Sequence, residues 1–284
     1  MPASTIAVIG IYLGFALAEL WRSNLFSKQE QTRNDGIVEA VSMTMLLAVT
    51  QPTVLLAAGA LANTIAPQYA GALSGLNVFA AIGLFLILDD MMQYWWHRAS
   101  HSTPWLYNLH RAHHDAKYMS VRLVYRNNII YYALMPNLWL SGVLVWLGLG
   151  WVYAGYIVVK MLVIVGAHSD VAWDKPLYRI GWLSPLMWVV ERTISTPATH
   201  HAHHGRHAED PAVNYKGNYG NLLFFWDVLF GTAKITRSYP KSYGVENLAP
   251  ATLGQQLLWP IFPENKIMPE DVAKVGEGTA PSAA

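Results

Sequence analysis

Cysteine is absent from this 284-residue chain. That excludes disulfides, thiolate ligands and iron–sulfur clusters, so any metal has to be held by nitrogen or oxygen. Charge is also scarce: Asp, Glu, Lys and Arg make up 13% of the residues, about half of the ~25% usual in a soluble domain. The formal net charge is only +1, which gives no reason to expect nucleic acid or another polyanion as partner. Apolar residues take the place of the missing charges, at 53% of the chain, with twelve Trp and fifteen Tyr among the aromatic and interfacial side chains.

About 20 apolar residues cross a bilayer. Residues 5–20, 39–62 and 73–96 approach or exceed that length, the second with Pro52 as an expected kink. No basic stretch precedes the first segment, so it does not read as a cleaved signal peptide. Residues 128–168 are long enough for two passes, with Gly148, Leu149 and Gly150 as the turn of a membrane hairpin. Arg22, Lys28 and Arg33 separate the first two segments, the stretch 63–72 has no charge, and Arg98, Arg111, Lys117, Arg122 and Arg126 follow the third. Every Lys and Arg except Lys160 falls on one side of this arrangement. By the positive-inside rule that side is cytoplasmic. The N-terminus is then outside, and 97–127 and the region from 169 onward are inside. Arg122 and Arg126 read as markers of the membrane boundary. Lys160 either snorkels to an interface or sits on a tilted, shallow segment.

Nine of the eleven histidines fall into a pattern. His97 and His101 are spaced i,i+4, which puts both rings on one helix face. His110, His113 and His114 span an arc of about 100° on a helix, and His200, His203 and His204 repeat that spacing. His168 stands alone at the end of the fifth segment. Ser102-Thr103-Pro104 and Ser195-Thr196-Pro197 each offer a capping hydroxyl followed by Pro at the first helical position. Gly205 stands where the third box should end. His201 points about 60° outside its neighbours' arc and reads as a residue behind the ligands or on the surface. His207 joins them only if its helix continues past Gly205.

Clustered imidazoles would repel one another if protonated, and would need polar partners if neutral beside an apolar slab. Metal coordination resolves both. One structural zinc takes four ligands, so eight or nine histidines imply two metals. No HExxH hydrolase motif is present. Ligands at a membrane surface behind an apolar bundle suggest a lipid substrate. Opening a lipid C–H bond requires oxidation, which points to redox-active iron with O2. Metal transport, a rival from another class, predicts ligands spread through the membrane depth, whereas these lie at one end.

The motifs then become specific. Asp90, Tyr94, Trp95, Trp96, His97, Arg98 and His101 resemble the first box of the fatty acid hydroxylase superfamily, the integral-membrane group that includes sterol desaturases and sterol methyl oxidases. Leu109-His110-Arg111-Ala112-His113-His114 resembles its second box. Thr196-Pro197 with His200, His201, His203, His204 and Gly205 resembles the third. Asn218-Tyr219-Gly220, Trp226-Asp227 and Leu229-Phe230-Gly231-Thr232 resemble its closing signature. Family members often carry Arg where His201 stands.

The resemblance implies two iron ions held by His97, His101, His110, His113, His114, His168, His200, His203 and His204, with O2 as co-substrate. It implies a transmembrane bundle capped by a cytoplasmic helical domain, and an electron donor such as cytochrome b5, ferredoxin or a reductase. The expected protein is therefore all-α and integral to the membrane, with four to five transmembrane helices and a cytoplasmic helical cap carrying the histidine boxes. Residues 1–96 hold the first three membrane helices, 97–127 the first two boxes, 128–168 the hairpin, 169–265 the cap with the third box, and 266–284 a disordered tail. The expected activity is hydroxylation of a sterol-like, fatty acyl or other lipid, with desaturation on the same centre as the alternative.

Asp90 and Tyr94 are the candidate catalytic residues beside the ligands. Asp90 lies on the face of His97 and reads as an acceptor that orients a ligand imidazole, or as a partner of Arg98 or a backbone group; Asp89 faces elsewhere. Tyr94 donates to a ligand or belongs to an interfacial belt with Trp95, Trp96 and Trp105. Asn218 and Asp227 bond the box helices or serve turns and caps.

Overall fold

The computed structural model describes residues 2–22, 25–28, 30–248 and 251–262. The expected disordered tail lies outside the described residues. Among the described residues helices are the only repeating secondary structure, with a single isolated bridge between Gly205 and Tyr243. Four helical stretches are long and apolar enough to cross a membrane: α1 (Ala3–Arg22), α2 (Arg33–Ile65), α3 (Val78–Ser102) and the stretch Pro136–His168. The chain reads as a multi-pass integral membrane protein.

Local chemistry sets the helix ends. Thr32 caps α2 reciprocally with Asp35, and Asn77 caps α3 through the Phe79 N–H. Pro52 lacks an N–H, and its ring presses on the carbonyl four residues earlier. The helix does not break there; Leu46–Thr50 opens into a wider π turn and α2 continues. A second π turn at Leu86–Met91 falls in α3 and contains Asp89 and Asp90. The widened turn lets two adjacent carboxylates be buried against different parts of the molecule. The α3 helix runs on through the first histidine box, so His97 and His101 occupy the last turns of a membrane helix.

The fourth stretch is interrupted at Gly148, in the turn expected from Gly148, Leu149 and Gly150. Its arms are α5 (Pro136–Leu144) and α6 (Gly150–His168), and between them Gly148 has φ +101°. A Cβ on Gly148 would stand 3.0 Å from the Ser74 backbone nitrogen, so glycine is needed both for the backbone sign and for the close approach. The Leu73 N–H donates to Leu147 O at 2.8 Å, which ties this turn to the uncharged loop. At the opposite end lie the box-bearing helices α4 (Pro104–His114) and α7 (Pro197–His203).

Helix α1 packs along α6, and α2 along α5. Ala16, Ile164 and Val165 share one buried cluster, and Phe85, Leu144, Leu149 and Tyr156 another. Lipid is as apolar as these side chains, so close fit rather than water exclusion holds the helices together. Leu13, Leu17, Leu56, Ile65 and Phe79 remain on the outside.

Two charges have buried partners that the sequence did not name. Lys160 does not snorkel: it is buried and pairs with Asp89. Asn137 Nδ2 and the Ser141 hydroxyl donate to the same carboxylate at 3.1 and 3.0 Å. An intramembrane acid requires such partners, and removing either member of a buried pair costs about 3–5 kcal/mol. Arg126 is the second. It is fully buried, pairs with Asp35 at 2.7 Å and donates to Ala112 O at 2.6 Å. Arg122 lies 3.4 Å from Glu39.

Candidate metal centre

The three boxes and His168 come together as two groups. One holds His97, His101, His110, His114 and His203; the other holds His113, His168, His200 and His204. Within each group, one potential ligand atom per residue lies within 4.8 Å of all the others. The triplets are shared crosswise. Helix α4 gives its i,i+4 pair, His110 and His114, to the first group and His113 to the second. Helix α7 gives its i,i+4 pair, His200 and His204, to the second group and His203 to the first. An arc of about 100° is wide enough for one helix edge to serve each group.

The rings are aimed from behind. His97 Nδ1 donates to Tyr219 O and His203 Nδ1 to Gly217 O, both at 2.7 Å. His168 Nδ1 donates to Ile164 O at 2.8 Å, and His113 Nδ1 to Arg126 O at 3.2 Å. His110 Nδ1 meets Asn127 Oδ1 at 2.9 Å, and Asn127 turns its amide nitrogen to Tyr132. A carbonyl oxygen only accepts, so each of these Nδ1 atoms carries the proton and each Nε2 presents a lone pair inward.

Those lone pairs face one another. His97 Nε2 and His203 Nε2 are 3.1 Å apart, and His113 Nε2 and His168 Nε2 are 3.4 Å apart. With both protons committed to carbonyls, nothing within either pair can donate. His101 Nε2 and His204 Nε2 are buried without any hydrogen-bond partner. Burial, and then neighbouring imidazoles, hold His114, His200 and His204 well below the usual histidine range; for His203 burial and His97 come first, and for His110 they do so as well. Neutral, inward-facing imidazole nitrogens are the donor set of a divalent transition metal, and the residues present fit two such ions.

Neither Asp90 nor Tyr94 touches a candidate ligand: Asp90 takes the backbone alternative, and Tyr94 takes neither the ligand nor the belt. Asp90 accepts from the Leu222 and Leu223 N–H groups at 3.3 and 3.1 Å and from Trp226 Nε1 at 2.8 Å. Tyr94 is fully buried rather than interfacial, with its hydroxyl 2.9 Å from Thr232 Oγ1. Asp227 accepts from the Tyr219 and Gly220 N–H groups at 2.8 and 2.6 Å and from the Thr232 hydroxyl at 2.6 Å. Asn218, at φ +57°, donates to Thr199 O at 2.9 Å. These residues brace the loop whose two carbonyls aim His97 and His203. The physical reason is distance along the chain: Asp90 answers backbone donors that only the folded loop brings to it.

His201 lies outside both groups. It is buried rather than on the surface, with Nδ1 2.9 Å from the Tyr243 hydroxyl and Nε2 3.1 Å from Ser169 O. Helix α7 stops before Gly205, and His207 sits beyond it, 3.1 Å from Glu246. Glu19 was not singled out from the sequence. It is fully buried and accepts from the Ser120 and Ser169 hydroxyls and from the Val121 and Asp170 N–H groups at 2.7–3.1 Å. It therefore ties α1 to the residues directly after His168. An acid at the end of an apolar segment was the available signal. Asn127 offered none.

A cavity of about 150 Å³ adjoins both groups. His97 and His110 line it from one group, and His113 and His168 from the other. Tyr131, stacked on His110 with ring centroids 4.9 Å apart, also lines it. Its wall also includes Leu138, Ile157, Met161, Leu46, Leu47 and Val8.

A family model described as fatty acid hydroxylase matches residues 82–232. That span contains all nine histidines of the two groups. Among curated relatives, the alkylglycerol monooxygenase of Danio rerio is 29% identical over 150 residues. The alkylglycerol monooxygenases of Xenopus tropicalis and Homo sapiens are 28% and 27% identical over 145 residues. Each match takes in 50% of this chain and only 28% of the relative's length. No solved structure matches the chain.

Proposed function

The chain belongs to the fatty acid hydroxylase family, and on that premise we propose that it is an O2-dependent lipid hydroxylase whose nine clustered histidines hold two iron ions. The observation that carries the reading is the cavity: it runs from the interior of a membrane bundle to the two histidine groups. Only a substrate that partitions into lipid reaches such a place, and the chemistry open to an unactivated lipid chain there is oxidation. Iron, when bound, supplies the redox chemistry that activates O2.

The chain's own residues bind, aim and exclude. Apolar side chains such as Leu138, Ile157 and Met161 line the path that receives the alkyl part of the substrate and keep water out of it. Backbone carbonyls at Tyr219, Gly217, Ile164 and Arg126 fix the imidazole rings. The Nδ1 protons stay on the rings and point at those carbonyls, and the Nε2 atoms would serve the metals. The reaction takes R–H, O2, two electrons and two protons to R–OH and water. The electrons come from a donor of the cytochrome b5, ferredoxin or reductase type that docks on the cap. The basic residues gather at the histidine end, which supports a cytoplasmic cap.

Product mass spectrometry after incubating reconstituted protein with lipid extract tests the reading. A gain of one oxygen is expected; a loss of two hydrogens identifies a desaturase on the same centre instead, and no change in any lipid refutes both. Because the chain has no native cysteine, single cysteines test orientation directly. One placed within 63–72 should label from outside and one beside Lys117 only from the cytoplasm; the reverse pattern overturns the orientation.

A further inference from the structure

The cavity carries more polarity than an alkyl chain needs. Asp89, Gln93 and His97 follow one another along α3 at four-residue steps, and all three line it. Asp89 is engaged by Lys160, Asn137 and Ser141. A carboxylate only accepts, so Asn137 has to turn its amide nitrogen to Asp89, which leaves its oxygen facing away. Asn137 is 2% exposed and lines the cavity, and its Oδ1 has no hydrogen-bond partner within the protein. Gln93 Oε1, one turn nearer the histidines, is also buried and unpartnered. Buried acceptors of this kind are costly to leave unsatisfied, and both lie where a substrate would pass.

Two amide oxygens ask for a donor. A hydrocarbon has none, and an ester or ketone oxygen only accepts. A hydroxyl group donates to Asn137 Oδ1 or Gln93 Oε1, and its own oxygen can accept from Lys160, whose ammonium has three N–H bonds. Resting on the lipid-oxidation reading above, we propose that the cavity selects lipids that already carry a hydroxyl group. Gln93 and Asn137 hold that hydroxyl while the carbon to be oxidised lies at the histidines. At 1.5 Å per residue, Gln93 and Asp89 stand about 6 and 12 Å from His97 along the helix. The hydroxyl and the oxidised carbon are therefore separated by several bonds and are not vicinal.

The test uses iron-loaded protein in detergent, with tritiated 1-octadecanol and octadecane as probes in equilibrium binding. The alcohol should bind about tenfold or more tightly than the alkane, the range expected when a buried acceptor gains or loses its donor. The Gln93→Met/Asn137→Leu variant should keep its iron and its alkane binding and lose the preference. Equal binding of the two probes by the parent protein overturns the proposal, as does a preference that survives in the iron-loaded double variant. Should that variant fail to fold, Gln93→Met alone decides by the same ratio, since its amide oxygen has no partner to lose. Protein that prefers octadecanol but oxidises neither probe leaves this inference standing and counts against lipid oxidation. Protein that oxidises both probes with equal efficiency does the reverse.

Discussion

The two histidine groups use the same residue spacing and are held in different ways. The five-histidine group hangs largely from one loop of the cap, because Tyr219 O and Gly217 O aim His97 and His203. That loop is clamped by Asp227 and Asp90. The four-histidine group hangs from the helical framework. His168 is aimed by Ile164 O in its own helix, and the residues after it are fixed to α1 by Glu19. The difference teaches that two neighbouring sites, sharing two helices, depend on distant and separate parts of the chain. They should therefore be separable by substitutions that touch no ligand.

The largest effect is expected where the comparison is attacked directly. His203→Ala in one group and His204→Ala in the other should each abolish product formation, measured per mole of correctly inserted protein in whole membranes. Both would leave an open coordination position and an altered redox balance at the metal. The parent protein should hold about two irons per chain by elemental analysis, as two imidazole-rich groups require. A parent stoichiometry of one breaks the two-site reading outright.

Substitutions behind the ligands sharpen it. Asp227→Ala releases the Tyr219 and Gly220 N–H groups and with them the carbonyls that aim His97 and His203. A loss of about 10–100-fold in metal affinity or activity is expected from removing such support. Asp90→Asn should cost less, because the amide oxygen still accepts from backbone N–H groups. Both losses should fall on the five-histidine site, and Glu19→Gln should disturb the four-histidine site instead. Mössbauer spectra of iron-loaded variants check this: each substitution should alter one of two iron signals. Equal disturbance of both by Asp227→Ala would show that the loop does not serve one site alone.

Local spacing made much of this legible and long-range geometry did not. The i,i+4 pairs, the Pro-initiated box helices and the Gly148 turn are visible in the sequence because each depends on residues within a turn or two. The crosswise sharing of the triplets depends on how α4 and α7 are rotated toward each other, which no single-helix argument contains. Lys160 and Asp89 are 71 positions apart, and Asp90 and Trp226 are 136 apart. An unpaired-looking charge in an apolar run announced that it needed a partner but not which one. Arg126 hid its partner for the same reason: only the fold brings Asp35 to it.

The smallest effect is expected at His201. It is as buried as its neighbours and separated from the ligands by a single helical step, so burial alone would rank it with them. Its two ring nitrogens, however, are already occupied by the Tyr243 hydroxyl and Ser169 O, and burial pushes its pKa down to about 4. It therefore supports the residue after His168 and supplies no lone pair to either group. His201→Ala should keep both irons and lower turnover by no more than about tenfold, the low end of the range for groups that orient ligands from behind. His201→Gln, which can still bond Ser169 O through its amide nitrogen, should recover part of that loss. If His201→Ala is as inactive as His203→Ala while retaining its iron, this ring acts on the chemistry itself, and the division of the third box into ligands and support is wrong.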